Sequence, residues 1–158
     1  MSQPWERIGP DTDGGRYLRQ FWQPICRSAD LAVGDVFGVG LLGEQWTLYR
    51  DHKGRAHLVS ARCPHRGTPL RFGVVSEGGL QCLHHGLVYD EQGYCSELSA
   101  GIVVIPVVEK YELVFGFFGE GDPPRLHFDL LEGENECWAA PPEVWPCPFF
   151  LRLENTLD

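Results

Sequence analysis

Two pairs of residues able to bind metal stand close together in the chain. Cys63 and His65 lie in the run Cys-Pro-His-Arg-Gly, and Cys82 and His85 lie in the run Cys-Leu-His-His-Gly. Two thiolates and two imidazoles on paired loops can hold either one zinc ion or a two-iron cluster, with the cysteines on one iron and the histidines on the other. The glycine at the end of each run predicts a tight loop whose backbone N–H groups can point at inorganic sulfide.

The order of the two runs is specific. Cys-Pro-His-Arg-Gly, a spacer and Cys-x-x-His-Gly together resemble the binding signature of a Rieske [2Fe–2S] domain. The resemblance implies that Cys63 and Cys82 bind the buried iron as thiolates and that His65 and His85 bind the outer iron. Two other interpretations stay open, namely a tetrahedral zinc site on the same side chains and four core residues that share no role.

The fold class follows from composition and from the resemblance together. The chain has 19 Gly and 12 Pro among 158 residues, which favours short strands joined by turns over long helices. The resemblance implies an all-β protein with the Rieske iron–sulfur fold, made of small stacked antiparallel sheets with two ligand loops and one short N-terminal helix.

Local patterns place the elements in more detail. Apolar spacing predicts the helix over 16–22, ended by Pro24, and strands follow from Ile25 onward. Gly43-Glu44 predicts a hairpin turn, and 73–79, between the ligand runs, reads as a loop or turn. The predicted strands are 36–42, 45–50, 57–60, 87–90, 102–107 and 111–118.

Net charge and apolar runs exclude several functions. The formal charge of −9 argues against nonspecific binding to nucleic acid or to an anionic membrane. The first residues lack the apolar run of a signal peptide, and no later run predicts a membrane span. The four cysteines outside the two runs are scattered without a disulfide framework. We therefore predict free thiols and a cytoplasmic protein.

The subclass is indicated by positions beside the ligands. Rieske proteins of respiratory complexes carry an extra cysteine pair where this chain has Thr68 and His84, so their disulfide cannot form here. Residues 17–24 are similar to the lead-in of ring-hydroxylating and demethylating oxygenases. Glu154-Asn155-x-x-Asp158 resembles the opening of the oxygenase motif that supplies two histidines to a mononuclear Fe(II). The resemblance is to oxygenase α subunits of the phthalate-dioxygenase-like group, and to their N-terminal part only.

This resemblance implies a division of the chain and a set of roles. We expect an irregular lead-in over 1–16, a Rieske domain over 17–119, a linker rich in Pro, Gly and acidic residues over 120–148, and the start of a truncated catalytic domain over 149–158. No catalytic iron ligand falls within the chain, so mononuclear Fe(II) is expected only in a full-length parent. Asp158 matches the carboxylate that bridges to a cluster histidine of a neighbouring subunit, which implies a homo-oligomeric parent.

The predicted function is one-electron transfer, with a reductase or ferredoxin as electron donor. Whether the chain by itself is an enzyme stays open, because it resembles an oxidoreductase family but lacks the catalytic iron ligands. Arg66 and His84 are candidate residues around the cluster, or else exposed loop residues. Leu87, where the family usually has Trp, and Glu112, where Gly is common, depart from the family pattern. The alternatives are a free-standing Rieske ferredoxin and a structural zinc-binding interaction domain.

Overall fold

The computed structural model describes residues 7–128 of the chain. The predicted catalytic-domain start at 149–158, with Asp158, and all but the first residues of the predicted linker lie outside this part. In chain order the elements are α1 (Asp13–Leu18), β1 (Trp22–Arg27), β2 (Val36–Leu41), β3 (Glu44–Arg50), β4 (Ala56–Ser60), β5 (Val74–Ser76), β6 (Gly79–Gln81), β7 (Val88–Tyr89), β8 (Tyr94–Cys95), β9 (Ala100–Gly101), β10 (Val104–Ile105), β11 (Val107–Lys110) and β12 (Leu113–Phe117). Short 3₁₀ helices cover Ser28–Asp30 and Leu70–Phe72.

The strands form antiparallel sheets, which confirms the predicted all-β class with one short helix. The sheet orders are β10-β4-β3-β2, β1-β12-β11, β5-β6-β7 and β8-β9. Within residues 7–128, no helix is both long and apolar enough to cross a bilayer.

The helix lies earlier in the chain than predicted. Thr12 caps it by accepting a hydrogen bond from the Gly15 N–H at 3.1 Å, so α1 begins at Asp13, inside the predicted irregular lead-in. The helix has ended by Trp22, which opens β1 instead. Pro24 lies within β1, at the edge of its sheet, where a residue without an N–H is tolerated.

Two turns differ from their sequence predictions. Leu41 pairs with Glu44, so the first hairpin turns at Leu42-Gly43, one residue before the predicted position. Both turn residues have positive φ, 50° and 79°, as a two-residue type I′ turn requires. The predicted loop over 73–79 contains β5 and the start of β6, which form a hairpin with Ser76 paired to Gly79.

The four-stranded sheet lies between two hydrophobic cores. Consecutive strand residues point to opposite faces, so Leu48 and Leu58 pack into one core while Tyr49 and Val59 pack into the other. The first core continues through Ile105 and Val114 toward the β1-β12-β11 sheet. The second core contains both cysteines of the ligand runs. One face of the four-stranded sheet therefore packs against the candidate metal site through this second core.

A buried arginine ties this sheet to its neighbour. The Arg50 side chain is 9% exposed, and its guanidinium donates to both carboxylate oxygens of Glu109 on β11, at 2.8 and 3.0 Å. It also donates to the carbonyl oxygens of Leu31 and Gly54, both at 2.6 Å. Because these contacts use the planar donors of one buried side chain, Arg50 fixes β3 relative to β11.

Candidate metal centre

The first ligand run forms a closed loop between β4 and β5. The Cys63 N–H donates to the Thr68 carbonyl at 2.9 Å, and the Gly67 N–H donates back to the Cys63 carbonyl at 2.8 Å. Gly67 has φ +70°, a conformation that costs glycine little. Arg62 pairs with Pro69 at the base, and its guanidinium donates to the Gly67 carbonyl at 2.8 Å. These contacts hold loop 1 (62–69) in one shape.

The second ligand run repeats this pattern between β6 and β7. The Cys82 N–H donates to the Leu87 carbonyl at 2.8 Å, and the Gly86 N–H donates to the Cys82 carbonyl at 3.0 Å. Gly86 has φ +75°, and the Gln81 side chain donates to its carbonyl at 3.1 Å. Loop 2 (82–87) thus repeats the backbone hydrogen bonds of loop 1 at the same offsets from its cysteine. This is the tight paired geometry that the glycines predicted.

The two cysteines lie together beneath the loops. Cys63 is 2% exposed and Cys82 is 1% exposed, and both belong to the same core cluster. Burial raises the pKa of Cys82, and the neighbouring Cys63 thiolate adds to this despite backbone hydrogen bonds from His84 and His85. In the other direction, the pKa of Cys63 is lowered. Burial opposes that shift, but hydrogen bonds from Tyr89, from Cys82 and from backbone N–H groups outweigh it.

Backbone N–H groups also act on both sulfurs. Those of His65 and Arg66 lower the pKa of the Cys63 thiol, and those of His84 and His85 oppose the burial that raises the pKa of Cys82. The Tyr89 hydroxyl lies 3.0 Å from the Cys63 Sγ in the core. Such donors stabilise negative charge on sulfur, so the cradle suits a thiolate bound to metal.

The two histidines form a second pair at the protein surface. His65 and His85 are both exposed, and their ring centroids lie 4.7 Å apart at an interplanar angle of 59°. The pKa of His85 is lowered, first by partial desolvation and then by the positive charges of His84, His65 and Arg66. A lowered pKa favours the neutral imidazole, which is the form that binds a metal.

The candidate ligands are thus a buried pair of sulfurs and an exposed pair of imidazoles. This is what a [2Fe–2S] cluster with two cysteines on one iron and two histidines on the other needs. A structural zinc ion would need four side chains around one point. The donor set fits the two-iron cluster.

The residues beside the ligands have clear positions. Thr68 and His84, which occupy the sites of the respiratory disulfide, contact each other across the loops, with 3.1 Å between Oγ1 and Nδ1. Arg66 is exposed, and its backbone N–H is one of the groups that lower the pKa of Cys63. Leu87 is 6% exposed and packs into the core with the cysteines. The metal ligands and the roles of Arg66 and His84 stay predictions.

Two features of this site had no sequence prediction. Nothing in one sequence indicated that Tyr89 would meet Cys63, because the two are 26 residues apart and a tyrosine on a strand usually serves packing. The Thr68–His84 contact had one signal, because the resemblance puts both residues where respiratory Rieske proteins carry a disulfide, but that signal did not predict a hydrogen bond.

Comparison with known proteins places the chain in a family. The family model described as the Rieske [2Fe–2S] domain matches residues 21–106, more than half of the chain. The chain therefore belongs to the Rieske [2Fe–2S] domain family, as its ligand runs predicted. This supports a [2Fe–2S] cluster and electron transfer as its function.

Its relatives are subunits of Rieske oxygenases. The chain is 37% identical, over 82% of its length, to the phenoxybenzoate dioxygenase subunit alpha of Ectopseudomonas oleovorans. A crystal structure of dicamba monooxygenase with non-heme iron and dicamba matches 68% of the chain at 30% identity and a TM-score of 0.60. The reduced complex between oxygenase and ferredoxin in carbazole 1,9a-dioxygenase matches 77% at 25% identity and a TM-score of 0.61.

The chain spans about a third of the proteins it matches. It covers 34% of the phenoxybenzoate dioxygenase subunit, 35% of the dicamba monooxygenase chain and 33% of the chain from the carbazole dioxygenase complex.

Proposed function

We propose that this chain carries electrons one at a time through a [2Fe–2S] cluster held by Cys63, Cys82, His65 and His85, as the electron-delivery part of a Rieske oxygenase. The cluster, when bound, supplies the one-electron redox chemistry. The chain's own residues hold two thiolates in a dry core and expose two imidazoles at the surface. The observation that carries the proposal is this burial difference between the cysteine pair and the histidine pair.

The burial difference gives the site a direction. Thiolates in the core are shielded from water and from oxidants, while the exposed histidines bring the redox centre within reach of a partner. Because imidazole is neutral where thiolate is anionic, reduction adds charge to a less negative centre. We expect a reduction potential of roughly −150 mV or above, against about −400 mV for an all-cysteine cluster of the plant ferredoxin type.

Anaerobic redox titration of the purified chain tests this proposal. The visible absorption should bleach with one electron per chain at a potential in the Rieske range. A colourless protein with one bound zinc would support the structural zinc domain instead. A cluster that titrates near the all-cysteine value would contradict histidine ligation.

We further propose that the chain is the N-terminal part of a longer oxygenase. The support is the share of its relatives that it spans and the non-heme iron in the dicamba monooxygenase structure. In such a parent, mononuclear Fe(II) would lie in another domain, Asp158 would bridge to a cluster histidine of a neighbouring subunit, and the subunits would form a homo-oligomer. Genomic DNA that continues in frame after codon 158 with two histidines would support this. A stop codon there would favour a free-standing Rieske ferredoxin.

The electron donor in this proposal is a ferredoxin or a reductase. The support is that the oxygenase component of carbazole 1,9a-dioxygenase, to which the chain is similar, forms a complex with a ferredoxin. Stopped-flow mixing of the oxidised chain with a reduced [2Fe–2S] ferredoxin should bleach the cluster with a rate that saturates as the donor concentration rises. A rate no faster than that of free dithionite would count against protein-mediated delivery. The cytoplasmic location stays a prediction.

A further inference from the structure

One side-chain contact joins the exposed tips of the two ligand loops. Thr68 Oγ1 in loop 1 lies 3.1 Å from His84 Nδ1 in loop 2, on the surface side of the site. The main chain around each of these two residues is held in place by hydrogen bonds. The Thr68 carbonyl accepts a hydrogen bond from the Cys63 N–H at 2.9 Å, and loop 2, which carries His84, is closed by the Gly86 N–H donating to the Cys82 carbonyl at 3.0 Å. The contact therefore connects two main-chain segments that are each already fixed to a cysteine.

The His84 ring also covers a proposed ligand. Its plane stacks on the His85 ring, with centroids 4.0 Å apart and an interplanar angle of 23°. His65 meets His85 from another side at a tilt of 59°. An exposed imidazole would ordinarily sample several rotamers. Here His84 is bound at one edge by Thr68 and lies flat against His85, so it limits the rotation of that ring.

We propose that Thr68 and His84 form a strap across the loops, and that the strap holds His85 in the orientation in which it binds the outer iron. His84 is a positioning residue in this proposal, and its Nδ1 contacts Thr68 instead of iron. We rest this inference on the proposed ligand set. The strap also holds the exposed tips of the two loops together, whereas the two cysteines hold the loops together only at their buried end.

The consequence concerns how the cluster is lost. Cysteines at 1–2% exposure cannot be reached by a chelator until the loops part, whereas the histidine end already faces solvent. Loss of the cluster should therefore begin with His85 leaving the outer iron and the loop tips separating. The strap opposes both movements, and it acts through one hydrogen bond and one ring stack.

Four variants test the Thr68–His84 hydrogen bond while a flat ring stays against His85. Thr68→Val removes the hydroxyl with little change of volume, and Thr68→Ser keeps it. His84→Phe keeps a flat ring against His85 but removes the nitrogen that meets Thr68. The double variant Thr68→Val/His84→Phe asks whether the two residues act as one unit. Leu83→Ala is the control, because Leu83 is 61% exposed in the same loop.

Two measurements are made on the cluster-loaded full chain. The first is the first-order rate at which visible absorption is lost in an excess of an iron chelator. Thr68→Val and His84→Phe should each speed this loss about 3- to 10-fold, as expected for one hydrogen bond, and the double variant should match the faster single variant. Thr68→Ser and Leu83→Ala should keep the original rate.

The second measurement is the EPR spectrum of the dithionite-reduced chain, which reports the ligand geometry of the cluster. A changed spectrum in Thr68→Val, restored in Thr68→Ser, would show that the strap sets the position of His85 and does more than stiffen the loops. Unchanged rates and spectra in both single variants would overturn the strap, and so would fully additive effects in the double variant. An original chain without a two-iron cluster would instead refute the proposed function, before any variant is compared.

Discussion

The hydroxyl of Tyr89 offers a direct test of how the core tunes the proposed cluster. Tyr89 is 0% exposed, and its hydroxyl oxygen lies 3.0 Å from the Cys63 Sγ. Burial and the Cys63 thiolate together raise the pKa of Tyr89, so the phenol keeps its proton and can donate it to the sulfur. Tyr89→Phe removes this single donor and leaves the ring packed in the core.

The size of the effect follows from the charge on the sulfur. A hydrogen bond to a charged group is worth about 1.5–3 kcal/mol, and the more electron-rich sulfur of the reduced cluster accepts it more strongly. Suppose that this hydrogen bond is roughly 1 kcal/mol stronger in the reduced state than in the oxidised state. Because about 59 mV corresponds to a tenfold change in the equilibrium constant for one electron, removing the bond then lowers the reduction potential by about 40 mV. We expect Tyr89→Phe to lower the reduction potential by about 30–60 mV.

The assay is the anaerobic titration of visible absorption in the original chain and the variant at one pH. Tyr49→Phe is a matched control, since it removes another buried phenol from the same core cluster. The charges that act on Tyr49 are Asp51, Arg55 and other groups away from the cysteines, and its ring stacks on His57. An equal shift in both variants, or a rise in Tyr89→Phe, would refute the reasoning.

Three further predictions concern stability and cluster assembly. Arg50→Met should lower the free energy of unfolding by about 2–3 kcal/mol in urea titrations. Arg27→Met, at a more exposed ion pair with Asp30, should lower it clearly less, and equal losses would contradict the role of the buried arginine. Glu112→Gly should raise the unfolding free energy by about 0.5–1 kcal/mol, because Glu112 has φ +60°, and a loss would contradict this. Cys82→Ala should purify without iron or sulfide while Cys95→Ala, also buried, retains both; iron kept by Cys82→Ala would exclude it as a ligand.

The sheets and the ligand loops could be predicted from sequence because their signals are local. Alternating apolar residues and turn glycines mark β2, β3, β4 and β12, and the two ligand runs carry their own spacing. The departure at Glu112 has a local explanation as well. It occupies a two-residue turn between Lys110 and Leu113 with φ +60°, which is where glycine would be favoured.

Other elements escaped prediction because context overrides local signals. Leu18, Phe21 and Trp22 have helical spacing, but the Thr12 cap starts the helix early and Trp22 pairs with Phe117 in a sheet. β5 and β6 are three residues each, and the glycines at 73, 78 and 79 bound them, so their pattern resembles a loop. Gly79 in particular has φ +130°, and a side chain there would meet the Tyr89 carbonyl.

The contacts that tune the site lie furthest from sequence reasoning. Tyr89 meets Cys63 and Arg50 meets Glu109 across 26 and 59 residues of chain. Such pairings depend on how sheets stack, and no spacing rule within one sequence encodes them. The candidate ligands could be proposed from sequence because each pair is close in the chain, whereas their neighbours in the core could not.

The most direct test of the central claim is the iron and acid-labile sulfide content of the anaerobically purified chain. Cys63, Cys82, His65 and His85 as ligands of one Rieske cluster predict two irons and two sulfides per chain, with no zinc. One zinc per chain without sulfide, in protein that is folded and colourless, would contradict the claim and leave the four residues as a structural zinc site.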